Sequence, residues 1–196
     1  MPEFEVRFYT GSHRSRQCSA NLDGAICYVE HHLNSFRDPD VAYSSALITN
    51  HADQYCRQWA ETYIRSVAET LNIPLGNGDG IIILSEGDRG HGNLSHATMP
   101  AMIPEPLFVS NPAHANLLRH GDAAGILAEK LALSIRRFFP EGGLVGFSVG
   151  HRYKDCGNMD EGAPVAGGGT EAEFAEMILV ESCRLLTGDY LPKEQE

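Results

Sequence analysis

Two histidines stand at the ends of short apolar runs in this sequence, and imidazole is the commonest zinc ligand. His32 closes the run that begins at Ala25, and His151 follows Leu144 to Gly150. A histidine at the carboxyl end of a buried strand points into the region where α/β folds collect ligands. Taken singly, each is as readily a structural histidine. His31 also competes with His32, because strand alternation lets only one of the two face a given side. Glu171 opens a helical pattern shortly after His151. As a lone residue it could simply partner the helix dipole, but beside two histidines it completes the donor set of an open zinc site, in which a fourth position is left for water or substrate. The other histidines at 13, 51, 91, 96, 114 and 120 lie in polar loop or helix contexts and read as solvated.

Glu105 is the second acidic residue to single out. It sits in Met99-Pro100-Ala101-Met102-Ile103-Pro104-Glu105-Pro106-Leu107-Phe108, where a buried and unpaired carboxylate would be costly. Such a group either finds a partner or performs chemistry. Next to a zinc ion a carboxylate can take a proton from the attacking water and return it to the leaving group.

These residues need elements to position them. Strand-like segments are predicted at Phe4 to Tyr9, Ala25 to His32, Gly80 to Leu84, Ala101 to Val109 and Gly143 to Val149. Between them the apolar spacing of Tyr55, Cys56, Trp59, Tyr63, Val67 and Leu71 predicts an amphipathic helix over about 50–71. Asn111-Pro112 opens another, Gly121 interrupts it, and Pro140 to Gly143 end it near Phe139. Thr170 and Glu173 form a capping box that starts a last helix ending at Thr187-Gly188. Strands alternating with helices predict an α/β fold, a single three-layer domain over 1–196 with a twisted, mostly parallel sheet and helices on both faces. A short flexible tail is expected from about 189 to 196. The glycine-rich stretches Gly76 to Gly80 and Gly162 to Gly169 lack phosphate-loop spacing and read as loops.

Composition removes other classes. With 196 residues, 42% apolar and 21% charged, the chain is an ordinary globular one. A net charge of −11 opposes binding to nucleic acid or anionic lipid. No apolar run is long enough for membrane insertion. Five scattered cysteines without a C-x-x-C pair predict reduced thiols. The amino terminus has no signal-like pattern, so residence in the cytoplasm as synthesised is the expectation.

The residues also carry a resemblance. Arg16-Gln17-Cys18-Ser19-Ala20-Asn21, followed by Ala25 and His32-Leu33-Asn34-Ser35, is similar to the R-x-x-x-A-N helix and S-I-H-A-N strand end of the zinc-dependent N-acetylmuramoyl-L-alanine amidases, which are cell-wall hydrolases. Met99 to Pro112 looks like that family's P-A-x-L-x-E-x-G-F-x-S-N-P segment, whose catalytic glutamate maps onto Glu105. The family's first strand, ending in D-P-G-H-G-G, and the helix that follows resemble Gly150-His151 and Thr170-Glu171-Ala172-Glu173-Phe174 at the other end of this chain.

The resemblance therefore implies a circularly permuted amidase-like topology. It implies one Zn²⁺ held by His32, His151 and Glu171, Glu105 as general base and acid, and peptidoglycan or a muropeptide as substrate. A phage or prophage lysin of this kind reaches the wall through a separate pore. Residues 76–98 match poorly. Glu30-His31 stands where the family has Ser-Ile, which should put Glu30 on the same side as His32. Asn34 is placed to support His32. Two other readings use the same residues: a zinc hydrolase of a different soluble amide, and a non-catalytic domain that binds wall fragments or a partner.

Overall fold

The structure is a computed structural model that describes residues 3–154 and 160–188. The expected tail at 189–196 and Cys156 lie outside the described residues. Six strands form one sheet: β1 (Phe4–Phe8), β2 (Cys27–His31), β3 (Ser45–Thr49), β4 (Ile81–Leu84), β5 (Ala101–Glu105) and β6 (Gly143–Val149). Their spatial order is β1-β6-β2-β5-β3-β4. The four strands β1, β6, β2 and β5 run parallel. β3 pairs antiparallel with β5, and β4 parallel with β3. The expected mostly parallel α/β sheet is therefore present, with one antiparallel junction in it.

Helices α1 (His13–Leu22), α2 (Gln54–Leu71), α3 (Pro112–His120), α4 (Ala123–Phe138) and α5 (Glu171–Thr187) complete the set among the described residues, with a short 3-10 turn at His91–Asn93. The larger core lies under α2, α4 and α5, where Trp59, Tyr63, Leu131, Phe147 and Ile178 are fully buried. Trp59 satisfies its indole N–H on Ser134 Oγ at 3.2 Å. On the opposite face Ala20 of α1 and Leu94 beside the 3-10 turn cover Tyr28 and Ile103. That gives three layers, helix on sheet on helix and turn.

Local signals set the helix ends. Asp53 accepts from Cys56 N at 2.8 Å and starts α2 a few residues after the position predicted from periodicity. Asn111 accepts from Ala113 N and His114 N, with Pro112 in the first turn of α3. Gly121 closes that helix, and Thr170 and Glu173 form the capping box of α5. The strands are shorter than predicted: β2 stops at His31, before His32, and β5 stops at Glu105. β3 is the strand that sequence reading passes over. Ser45 to Thr49 has no polar and apolar alternation, because four of its five residues are buried between neighbours.

Pro104 lies inside β5 and lacks an N–H, yet its carbonyl accepts from His32 N at 3.1 Å. This bond continues the tie between β2 and β5 one residue past the end of β2. It fixes the backbone of His32 against the strand that carries Glu105.

Candidate metal centre

Three adjacent parallel strands, β6, β2 and β5, deliver their carboxyl ends to one edge of the sheet. Glu105 is the last residue of β5, His32 the first beyond β2, and His151 the second beyond β6. Glu171 is the first residue of α5, whose amino end reaches the same edge through the loop after His151. Such a crevice beyond the strand ends is where α/β sheets hold ligands. A cleft of about 930 Å³ opens there, lined among others by His32, Glu105, His151, Glu171, Arg89 and Asn93.

Two glycines permit the convergence. A Cβ on Gly150 would lie 2.6 Å from Cε1 and Nδ1 of His32 and 2.7 Å from the His31 carbonyl oxygen. A Cβ on Gly162, whose φ is +71°, would lie 2.6 Å from Glu171 Oε2 and 2.7 Å from His151 Cδ2. His151 itself takes φ 68°, an uncommon left-handed value for a residue with a side chain. Gly150→Ala must therefore push the His32 ring aside. An overpacking cost of about 1–3 kcal/mol spent at that ring corresponds to roughly a fivefold to 150-fold weakening of a metal ion held there. A zinc titration of the folded variant checks this, and wild-type affinity would show that the ring can yield.

The donor atoms meet on one carboxylate oxygen. Glu171 Oε1 lies 3.1 Å from His32 Nδ1 and 3.1 Å from His151 Nε2. These three residues form the one group among the described residues with the spacing of a metal site. Zinc bonds of 2.0–2.1 Å in a tetrahedron separate neighbouring donors by about 3.3 Å, so two imidazoles and a carboxylate at these spacings fit the ion with one position open. The two rings stand nearly edge to face, with centroids 4.9 Å apart and planes at 70°. Glu171 is further held by Leu33 N at 3.2 Å and Ala163 N at 3.1 Å.

Electrostatics follow from burial and these contacts. Burial works against the Glu171 anion, but hydrogen bonds from His151 and His32 outweigh it and hold the carboxyl well below its ordinary range. Burial likewise works against a charged His32, yet the Glu171 and Glu30 carboxylates push its pKa up to about 10. Hydrogen bonding to Glu171 raises His151 as well. Glu105 differs: burial raises its pKa, and the nearby His32 offsets this only in part. Glu105 therefore keeps its proton more readily than Glu171.

Each imidazole also has a carboxylate on its far nitrogen. Glu30 Oε1 is 3.0 Å from His32 Nε2. Both Asp160 oxygens lie 3.1 Å from His151 Nδ1, and Lys154 Nζ reaches Asp160 at 2.6 Å.

All four residues singled out from the sequence, His32, His151, Glu171 and Glu105, thus line one cleft. His31 takes no part: it is fully buried, and neither ring nitrogen has a partner among the described residues. Glu30 faces His32 as alternation requires. Asn34 does not support His32, because its side-chain oxygen accepts from Ser35 N at 2.8 Å. His114 is not solvated either; it is 4% exposed and its Nδ1 accepts from Phe108 N at 3.0 Å. His13 lines the cleft, whereas His51, His96 and His120 are exposed as expected. Asp160 and Asn93 carry no signal in the sequence, and Gly150 and Gly162 enter it only as motif and loop residues. Residues 85–93, which match no motif, supply Arg89, Gly90 and Asn93 to the cleft wall.

No protein-family model matches the chain, and no curated protein matches it. Solved structures do share its fold. The N-acetylmuramyl-L-alanine amidase Ami1 from Mycobacterium smegmatis matches with a TM-score of 0.54 at 19% identity, over 63% of this chain and 58% of that one. The N-acetylmuramoyl-L-alanine amidase from Clostridium difficile 630 matches with a TM-score of 0.56 at 19% identity, over 66% of each chain. The catalytic domain of CwlV, an N-acetylmuramoyl-L-alanine amidase from Bacillus (Paenibacillus) polymyxa var. colistinus, gives 0.53 at 18% identity, again over 66% of each. The match thus spans 58–66% of those chains' own length, and at such identities it is the fold that is shared.

Proposed function

We propose, from a fold shared with N-acetylmuramoyl-L-alanine amidases, that this chain is a zinc-dependent hydrolase of the amide between N-acetylmuramic acid and the L-alanine of the peptidoglycan stem peptide. The observation that carries the reading is the convergence of His32 Nδ1 and His151 Nε2 on Glu171 Oε1, in the cleft that also holds Glu105. Bound there, zinc supplies Lewis acidity toward the scissile carbonyl and makes water available as a nucleophile near neutral pH.

The chain's own residues do the rest. Glu171 and the two imidazoles form a ligand set whose anionic member stays ionised. Glu105 accepts the proton of the attacking water and delivers it to the amide nitrogen as the C–N bond breaks, leaving the muramic lactyl carboxylate and a free L-alanine amine. Burial raises the Glu105 pKa, so its carboxyl holds a proton more readily than an ordinary one and suits the delivery half of that transfer.

Circular permutation belongs to the same proposal. The strand that delivers His151 and the helix that opens with Glu171 come last here, whereas the resemblance places their counterparts first. Correspondence in chain order must stop where a permutation begins, and the shared fold spans 63% and 66% of this chain. No helix among the described residues is long and apolar enough to cross a membrane.

Digestion of purified muropeptides by the zinc-loaded protein, followed by mass analysis, tests the reaction. Stem peptides with a free amino-terminal L-alanine, and glycan otherwise intact, are expected. Cleavage of soluble acylated peptides with muropeptides untouched would move the substrate elsewhere, and no amide cleavage by zinc-loaded protein would sink the hydrolase reading.

A further inference from the structure

We infer that Glu30 is a positioning residue of the centre: its carboxylate accepts from Nε2–H of His32 and so fixes that ring with the Nδ1 lone pair toward Glu171 and His151. The inference rests on the zinc reading proposed above, and it assigns a role to a residue that the ligand set and Glu105 leave without one.

Glu30 is completely buried, where an anion is costly unless several groups hold it. Three parts of the chain supply them. Oε1 lies 3.0 Å from His32 Nε2 and 2.5 Å from Asn93 Nδ2 beside the cleft. Oε2 accepts from the Tyr28 hydroxyl at 3.4 Å on β2. On α1, His13 Nδ1 stands 3.7 Å away and Arg16 Nη1 3.9 Å away.

The arrangement is asymmetric in a way that separates positioning from mere neutralisation of Arg16. The guanidinium of Arg16 has other acceptors, namely the Gly11, Val149 and Arg152 carbonyls and Ser148 Oγ. His32 Nε2 has Glu30 as its one hydrogen-bond partner among the described residues. Loss of Glu30 would free the ring to turn, while Arg16 would keep its hydrogen bonds. The same pattern appears on the other ligand, where Asp160 faces Nδ1 of His151 and leaves Nε2 for Glu171. A carboxylate on the far nitrogen of a ligating histidine sets tautomer and orientation and strengthens the donor, and removing one costs about 10–100-fold in metal affinity.

The test uses the full chain. Zinc affinity is measured by competition with a chromophoric chelator at fixed pH, alongside circular dichroism and thermal unfolding of the metal-free protein. Glu30→Gln is expected to bind zinc about 10–100-fold more weakly than wild type while remaining folded. A role confined to folding predicts a lower unfolding midpoint with zinc affinity unchanged, and that result would overturn the inference. Asn93→Ala removes the amide that holds Glu30 without touching the buried charge, and keeps the question open to test if the glutamine variant does not fold. It is expected to weaken zinc by roughly threefold to tenfold, and unchanged affinity would again count against Glu30. Wild-type protein that takes up no zinc would remove the metal reading and this inference together, whereas zinc-binding wild type with unaffected variants removes the inference alone.

Discussion

Glu105→Gln is expected to lower kcat for muropeptide hydrolysis by roughly a hundredfold to ten-thousandfold while zinc content stays at the wild-type level. Glutamine keeps the shape of the side chain at the end of β5 but can no longer take a proton from water. Zinc uptake should not change, because Glu105 is outside the group of donors that meet at Glu171. The pH profile carries a second signature. Burial raises the Glu105 pKa, and only the ionised carboxylate can act as base, so kcat/KM should rise with pH through that raised value and fall away below it. In the variant this acidic limb should vanish along with most of the rate. A variant retaining more than about a tenth of wild-type kcat would assign the proton transfer to another group.

Losing the metal should be at least as damaging. Chelation, or His151→Ala, is expected to reduce hydrolysis by roughly a thousandfold or more, since Lewis-acid stabilisation of the transition state amounts to several kcal/mol and each 1.36 kcal/mol is a factor of ten. Readdition of zinc should restore chelated wild type and leave His151→Ala inactive. Full activity after complete metal removal would end the proposal.

Metal loss also has a pH-dependent consequence for stability. In metal-free protein the His32 pKa is raised from 6.5 to about 10 by its two carboxylates. A raised histidine pKa stabilises the fold fully below pH 6.5, and that contribution fades as pH climbs toward 10. Bound zinc takes the place of the proton on Nδ1, so the gain in thermal midpoint on adding zinc should grow across pH 6.5 to 10. A gain that is flat or shrinks over that range would contradict the assigned contacts of His32.

Local chemistry made much of this molecule legible in the sequence. Thr170 with Glu173, and Asn111 with Pro112, satisfy orphan backbone N–H groups within one helical turn, so their types and spacing suffice to place two helix starts. Gly121 and Gly188 mark helix ends for equally local reasons. Alternation along β2 puts Glu30 and His32 on one side and His31 on the other. His32 and His151 could be picked out because each follows an apolar run, Glu105 because it sits in the midst of one, and Glu171 because a carboxylate opens a helical pattern shortly after His151.

Tertiary structure decided how they meet. That β6, β2 and β5 lie side by side depends on the packing of α2, α4 and α5 against the sheet, which no local spacing encodes. The antiparallel β3 escapes periodicity because it is buried on both faces. Gly150 and Gly162 owe their importance to rings and carboxylates that approach only when distant segments close, as do the pairings of Glu30 with Asn93 and of Asp160 with His151. His114 looks solvated in a polar stretch and is buried because the backbone N–H of Phe108 needs its ring nitrogen. The sequence by itself determined the types of the residues that line the cleft and that His31 and His32 project to opposite sides, because those follow from covalent geometry over a few residues. Only the fold decided their separations, their partners and the space between them, because these are set by contacts among segments far apart in the chain.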